Sequence, residues 1–214
     1  MTIQLIPAQT AAYRVLRYAL SAGDLLLLHS VSGRGRTTVL KKLHEETGGA
    51  YINSKDFIEG SSERHPLALE EAFHSLVVAA FRDHKTVYVD DADLIHEATS
   101  NCHFYPRGDY LETAFMELSE RAVREGKKLV MSTDGSIASS FSARCFSANI
   151  ARYSDEDYAA LLAIFLGTEQ AKELDAAKIF RFAPKLTAHQ IRGACDWLKA
   201  SGSLSTEQYI EYLR

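Results

Sequence analysis

The stretch "LLLLHSVSGRGRTTVLKKL", Leu25 to Leu43, decides the fold. Leu25–Leu28 is a short apolar run bounded by turn formers, which reads as a buried strand. "TTVLKKLHEETGG" then reads as a helix stopped by Gly48 and Gly49. Between them lies a tight turn rich in glycine and arginine. Upstream, "AQTAAYRVLRYALSAG" spaces Ala12, Val15, Leu16 and Ala19 along one helix face. Downstream the alternation continues. "AYINS" is a strand, "PLALEEAFHSLVVAAFRDH" a helix with proline at its start, and "KTVYVDDADLI" a strand running to Val89. "DYLETAFMELSERAVREG" is a helix, "KKLVMSTDG" a strand, and "ANIARY" the fifth strand. Near-continuous apolar strands separated by helices predict an α/β fold, a parallel five-stranded sheet covered on both faces.

The pattern changes after Ser154. "SDEDYAALLAIFLG", "EQAKELDAAKIF", "TAHQIRGACDWLKA" and "STEQYIEYLR" have helical spacing, and Ser154 and Thr187 are good N-caps. The chain thus divides into an α/β domain over residues 1–153 and a small all-helical domain over 154–214.

Bulk properties narrow the classes. At 46% hydrophobic and 24% charged residues, the composition is that of a globular protein. A net charge of −4 supplies no overall basic field, so neither nucleic acid nor an anionic membrane is expected as partner. Cys102, Cys145 and Cys195 are scattered, forming neither a disulfide framework nor a C-x-x-C site. The N-terminal segment has no charged leader and Leu25–Leu28 is too short to span a bilayer, so a cytoplasmic location is expected.

The turn of the opening stretch approaches the phosphate-binding pattern G-x-x-x-x-G-K-[ST]. In that pattern a strand-to-helix turn aims backbone N–H groups and the positive helix end at phosphates. Glycines permit close approach, the lysine supplies charge, and the hydroxyl holds Mg²⁺. Gly33, Gly35 and Thr37 suit these roles; Ser30 and Arg36 replace the first glycine and the lysine. The plainer alternative is a Gly/Arg surface turn capping a helix. A second feature weighs against it: "TVYVDD" is an apolar strand ending in Asp90 and Asp91. This is the form of a Walker B element, whose first carboxylate reaches Mg²⁺ and whose second polarises the attacking water. Here the alternative is a solvated turn in which Asp90, Asp91 and Asp93 merely cap a helix.

A third apolar strand, "KLVMSTDG", ends in Ser132, Thr133 and Asp134 where AAA+ ATPases place sensor 1. "SFSARCFSANIARY" resembles the stretch carrying their arginine finger, with Arg144 matching and Arg152 as fallback. "KLTAHQIRGACDWLKA" resembles their sensor-2 helix, and the helices after Ser154 resemble their lid. Element order and these partial motifs together resemble the AAA+ branch of P-loop NTPases over essentially the whole chain. The resemblance implies ATP or ADP with Mg²⁺, held between the large domain and the lid. Ser32, Gly33, Arg34, Gly35, Arg36, Thr37, Thr38 and Arg192 would hold nucleotide, Thr37 and Asp90 the metal, and Asp91, Thr133 and Arg144 would serve catalysis. It also implies a homo-oligomeric, hexameric ring acting on a protein partner. Arg144 and Arg192 can equally be surface arginines, since Arg192 lies a turn inside its helix.

The departures bear on rate. Arg36 offers a planar fork where the family has a point charge, and Asp91 is a methylene shorter than the usual glutamate. Phosphoryl transfer depends on positioning, so slow hydrolysis is expected. The alternative is a non-hydrolysing module serving as an assembly platform, such as the N-terminal half of a tandem protein. A small-molecule kinase would need a lid inserted between strands, which the C-terminal helices oppose. For substrate threading, Phe57-Ile58 with Gly60 is the nearest match to an aromatic pore loop, a short core-packed helix being the alternative. His103-Phe104-Tyr105 reads as a loop facing a pore or partner, and His96, Cys102 and His103 lack zinc-ligand spacing.

Overall fold

The computed structural model describes residues 3–62, 64–65, 67–100, 108–135 and 137–214, with the side chains of 99, 100, 108 and 109 also outside the description. Its contacts divide the chain into two compact units, one of residues 12–31 and 36–149 and the other of residues 1–11, 32–35 and 150–214.

The first unit is built on one sheet. Its strands are β1 (Leu25–His29), β2 (Ala50–Ile52), β3 (Thr86–Val89), β4 (Lys128–Thr133) and β5 (Phe146–Asn149), in the order β2-β3-β4-β1-β5. Every pairing is parallel, so all carboxyl ends lie along one edge. Leu26, Leu27 and Leu28 are fully buried, as a strand covered on both faces requires. On one face pack α4 (Leu69–Asp83) and α6 (Gly108–Arg124), whose Phe73 and Phe115 rings lie 5.3 Å apart. Phe141 of α7 (Ser139–Ser142) extends that aromatic row, 5.5 Å from Phe115. On α2 (Arg36–Thr47), Val39, Leu40 and Leu43 are fully buried.

Two details differ from the sequence expectation. The fifth strand is Phe146–Asn149, because pairing with Leu26–His29 sets its register; Ile150–Tyr153 continues without a ladder. In α1 (Pro7–Ala22) Ala12, Leu16, Ala19 and Leu20 are buried while Val15 is half exposed, so the apolar stripe runs at i+4 and excludes it. The segment after β2 forms α3 (Ser54–Ser61), where Phe57 packs against the core and Ile58 is exposed. Asn53 and Asp56 form a capping box at its start. His103-Phe104-Tyr105, with Cys102, lies outside the described residues; α5 (Ala92–Ser100) precedes it.

The second unit is helical. It contains α8 (Asp155–Leu166), α9 (Thr168–Ala171), α10 (Ala176–Phe182), α11 (Ala188–Ser201) and α12 (Thr206–Tyr212). Ser154 with Asp157, and Thr187 with Gln190, form the two expected caps as full capping boxes. "EQAKELDAAKIF" is two helices, because the Asp175 carboxylate caps a new start by accepting from Lys178 N–H at 2.8 Å. Tyr158 Oη, on a fully buried residue, donates to the Ala183 carbonyl and accepts from Leu186 N–H, tying α8 to the turn before α11. Among the described residues no helix is long and apolar enough to cross a membrane.

Candidate functional site

In parallel α/β sheets, ligands bind beyond the carboxyl ends of the strands, where connections diverge. Here β1 sends its connection out to β2, two strands past its neighbour β4, while β4 crosses over it to β5. The residues at that edge of the first unit form a linked polar cluster.

Asp90, just after β3, is 4% exposed and accepts at both oxygens: Ser132 Oγ donates to one at 2.7 Å and Tyr51 Oη to the other at 2.8 Å. Burial and the Asp90 charge hold the Tyr51 hydroxyl far above its ordinary pKa, so it stays a donor. Asp91 has a left-handed backbone, φ 53°, and its N–H donates to Ser132 Oγ at 2.8 Å. The Arg36 guanidinium, 8% exposed at the first residue of α2, meets Asp91 Oδ1 at 2.9 Å. It also meets the carboxylate of Asp93, 4% exposed, with nitrogen–oxygen distances of 3.1 and 3.3 Å. Burial raises the Asp91 pKa, the neighbouring Asp90 charge adds to this, and Arg36 opposes it. Thr37 and Thr38 follow in the first turn of α2, half-buried.

Strand alternation explains who belongs to this cluster. Tyr51 stands opposite Tyr88 and Tyr88 opposite Val130, so Tyr51, Asp90 and Ser132 fall on one face, two residues further along β3 and β4. Thr133 falls on the other face: it is fully buried and its Oγ1 accepts from Gly135 N–H at 3.1 Å. Tyr51 joins the cluster without having stood out in the sequence, and Ser132 and Asp93, which read there only as a strand-end residue and as part of a turn, are members of it. The period of two between Tyr88 and Asp90, and between Val130 and Ser132, was the available signal. Asp93 is a buried ion-pair partner, not part of a solvated turn.

The loop residues Ser32–Gly35 pack within the second unit. Gly33 and Gly35 have φ of 83° and 86°, which side chains rarely adopt. Their carbonyl side is engaged: Ala188 N–H donates to Gly33 O at 3.0 Å, and Gln9 Nε2 donates to Arg34 O at 3.0 Å. The Arg34 guanidinium donates to Ile150 O at 3.4 Å. A Cβ on Gly33 would fall 2.6 Å from Thr187 Cγ2, so glycine here also serves close packing on the start of α11. Among the described residues the backbone N–H groups of Val31 to Gly35 donate to no backbone carbonyl. A run of uncommitted donors on a loop bent by positive-φ glycines is the arrangement that suits an anion. The hard oxygens of Thr37 and Asp90 suit Mg²⁺, which binds through few protein oxygens and keeps several waters.

Within the first unit, Arg144 is not brought to this edge. Arg144 precedes β5, at the amino end of the sheet, half exposed and 4.0 Å from Glu120. It lines a cavity of about 360 Å³ with Leu25, Ser119, Glu120, Val123 and Arg124. Arg152 is exposed, as is Arg192, which lies 3.7 Å from Asp196 one turn on.

No protein-family profile and no curated protein matches the chain. Solved structures do. The replication initiator DnaA bound to AMPPCP and single-stranded DNA is 13% identical, with a TM-score of 0.62 over 94% of this chain and 64% of that one. The HORMA:CdnC:Trip13 complex of E. coli MS115-1 contains a chain 13% identical, TM-score 0.67, covering 97% and 88%. Domain III of DnaA from Thermotoga maritima is 15% identical, TM-score 0.58, covering 96% and 91%. The chain therefore spans just under two thirds of the first DnaA. One expectation is corrected: nucleic acid is not excluded as a partner, since a neighbour with this fold was solved on single-stranded DNA. The error was to let net charge stand for surface charge; strand binding uses a local groove that a charge sum does not register. Sheet order and neighbours agree: this chain has the fold of these DnaA and Trip13-complex chains, a parallel five-stranded α/β sheet flanked by helices.

Proposed function

We propose that the chain is an AAA+ ATPase module that binds ATP or ADP with Mg²⁺, hydrolyses it slowly and assembles into a ring to remodel a partner. Residues 1–153 would form the nucleotide-binding domain and 154–214 the lid. One observation carries this reading: the uncommitted N–H groups of Val31–Gly35 sit between the carboxyl end of β1 and the start of α2. DnaA of the same fold was solved with the nucleotide analogue AMPPCP, which supports it. Thr37 and Asp90 would hold Mg²⁺, which would neutralise phosphate charge; Asp91 would orient the attacking water; Arg144 would act on a neighbouring subunit's nucleotide. Single-stranded DNA belongs among the partners to assay. The test is calorimetric titration with Mg-ATP and Mg-ADP, a phosphate-release assay, and native mass spectrometry of the nucleotide-bound protein. Bound nucleotide should stabilise the fold by about 2.7 kcal/mol at a hundred times its dissociation constant, and Thr37→Ala should remove the Mg²⁺-dependent part. Absence of any shift with ATP, ADP or AMPPCP would reduce the loop to a structural turn.

A second reading has its own observation. Arg36 is committed to Asp91 and Asp93, which ties up both the phosphate-facing cation and the water-orienting carboxylate. A module built this way would bind nucleotide without turnover and serve as an assembly platform. Ring formation with nucleotide, and no phosphate release, would select it.

A further inference from the structure

The position that carries the phosphate-facing lysine in the motif is taken here by Arg36, whose Nη2 donates to both Asp91 and Asp93 and whose buried Nη1 lies 3.1 Å from Asp93 Oδ1 without a hydrogen bond. We propose that Asp93 is a positioning residue that holds Arg36 in the acidic cluster, so that nucleotide phosphate and Asp93 compete for one cation. This rests on the nucleotide-binding reading above and adds a determinant of affinity to it.

Three observations carry the inference. Asp93 is 4% exposed and Arg36 8%, so the pair is held by the fold and not by chance contact at a surface. Asp93 occupies the first turn of α5, where the helix dipole favours a carboxylate, and it takes two contacts from the fork, at 3.1 and 3.3 Å. Asp90, which accepts from Ser132 and Tyr51, makes no ion pair with Arg36 among the described residues, so Asp91 and Asp93 are the carboxylates that hold the cation. Turning Arg36 toward a phosphate would therefore strand a buried carboxylate, and removing one partner from a buried ion pair is what makes such pairs costly to break. Arginine suits the holding role better than lysine, because a planar fork can serve two carboxylates at once.

Neutralising Asp93 should free the cation for the ligand. Titration with Mg-ATP, and with ATP in EDTA, is to be compared for the wild type, Asp93→Asn, Asp93→Glu and the double variant Asp93→Asn/Arg36→Ala. Asp93→Asn should bind ATP about tenfold tighter or better, a difference that isothermal calorimetry resolves readily. Asp93→Glu, which keeps the charge, should stay near wild type, and the gain should vanish when Arg36 is also removed. A measurement on the wild type stands beside these in case Asp93→Asn does not fold: the Arg36 Nε–H resonance should shift as Mg-ATP saturates the protein. Wild-type binding with no gain in Asp93→Asn, a gain that survives Arg36→Ala, or an unmoved Arg36 resonance at saturation would each overturn the proposal and leave the nucleotide reading intact. Binding in none of the variants would overturn both.

Discussion

Arg36→Ala should be among the most damaging single substitutions in the chain. The side chain is 8% exposed and its partners Asp93 and Asp91 are 4% and 29% exposed. Removing it leaves two carboxylates facing one another beside a third, Asp90, with no cation in the cluster. Breaking a buried pair from one side costs about 3–5 kcal/mol. Most of that falls on Asp93, because the more exposed Asp91 is partly screened by water. For a chain of 214 residues each kcal/mol moves the melting temperature by about 2–4 °C, so a fall of about 6–20 °C is expected. Urea unfolding of Arg36→Ala, Asp93→Asn and the double variant forms a thermodynamic cycle. The double variant should be more stable than the sum of the singles implies, because the carboxylate that lost its partner is no longer charged. A loss below about 1 kcal/mol for Arg36→Ala, with additive singles, would describe an exposed pair and refute the buried cluster.

Tyr51→Phe removes the donor to one Asp90 oxygen and should cost about 1.5–3 kcal/mol, the range for a hydrogen bond to a charged group, read by urea unfolding. Gly33→Ala must place a side chain at φ 83° and 2.6 Å from Thr187 Cγ2, so destabilisation above about 1 kcal/mol is expected; a neutral result would show that the loop's contact with Thr187 is not formed in solution. Burial pushes the thiols of Cys145 and Cys195 up to about 12. At pH 8 each should be a thiolate in only about one molecule in ten thousand, and alkylation should climb as pH approaches 12 or when the chain unfolds. Peptide mapping after iodoacetamide treatment checks this, and rapid labelling of either residue at pH 8 in the folded protein would contradict it.

The sheet was legible because its strands are apolar throughout: Leu25–Leu28, Val87–Val89 and Leu129–Met131 leave few readings other than a covered parallel sheet. Caps were legible for a similar reason, since Ser154 and Thr187 carry their box partners three residues on. Phe146–Asn149 was harder. Its exposure pattern is that of an edge strand with only Ala148 buried, so hydropathy pointed two residues too far along. The cluster at the carboxyl edge was half legible. Asp90 and Asp91 stand out as acids after an apolar strand, and Arg36 stands out in the loop pattern. That Arg36 spans to Asp93, 57 residues away, and that Tyr51 and Ser132 meet at Asp90, follows from strand register, which single-sequence patterns do not carry.

The two edges of the sheet constrain how copies of this chain can join. β2 has three residues and β5 four, and among the described residues each leaves one side of its backbone without a strand partner. Strands this short offer an incoming chain few main-chain hydrogen bonds. Extending the sheet from one molecule to the next would therefore gain little. An assembly of copies would then draw chiefly on side-chain surfaces of helices and loops rather than on a shared sheet. Single substitutions at those surfaces can then tune or abolish association while leaving the sheet, and the acidic cluster at its carboxyl edge, unaltered.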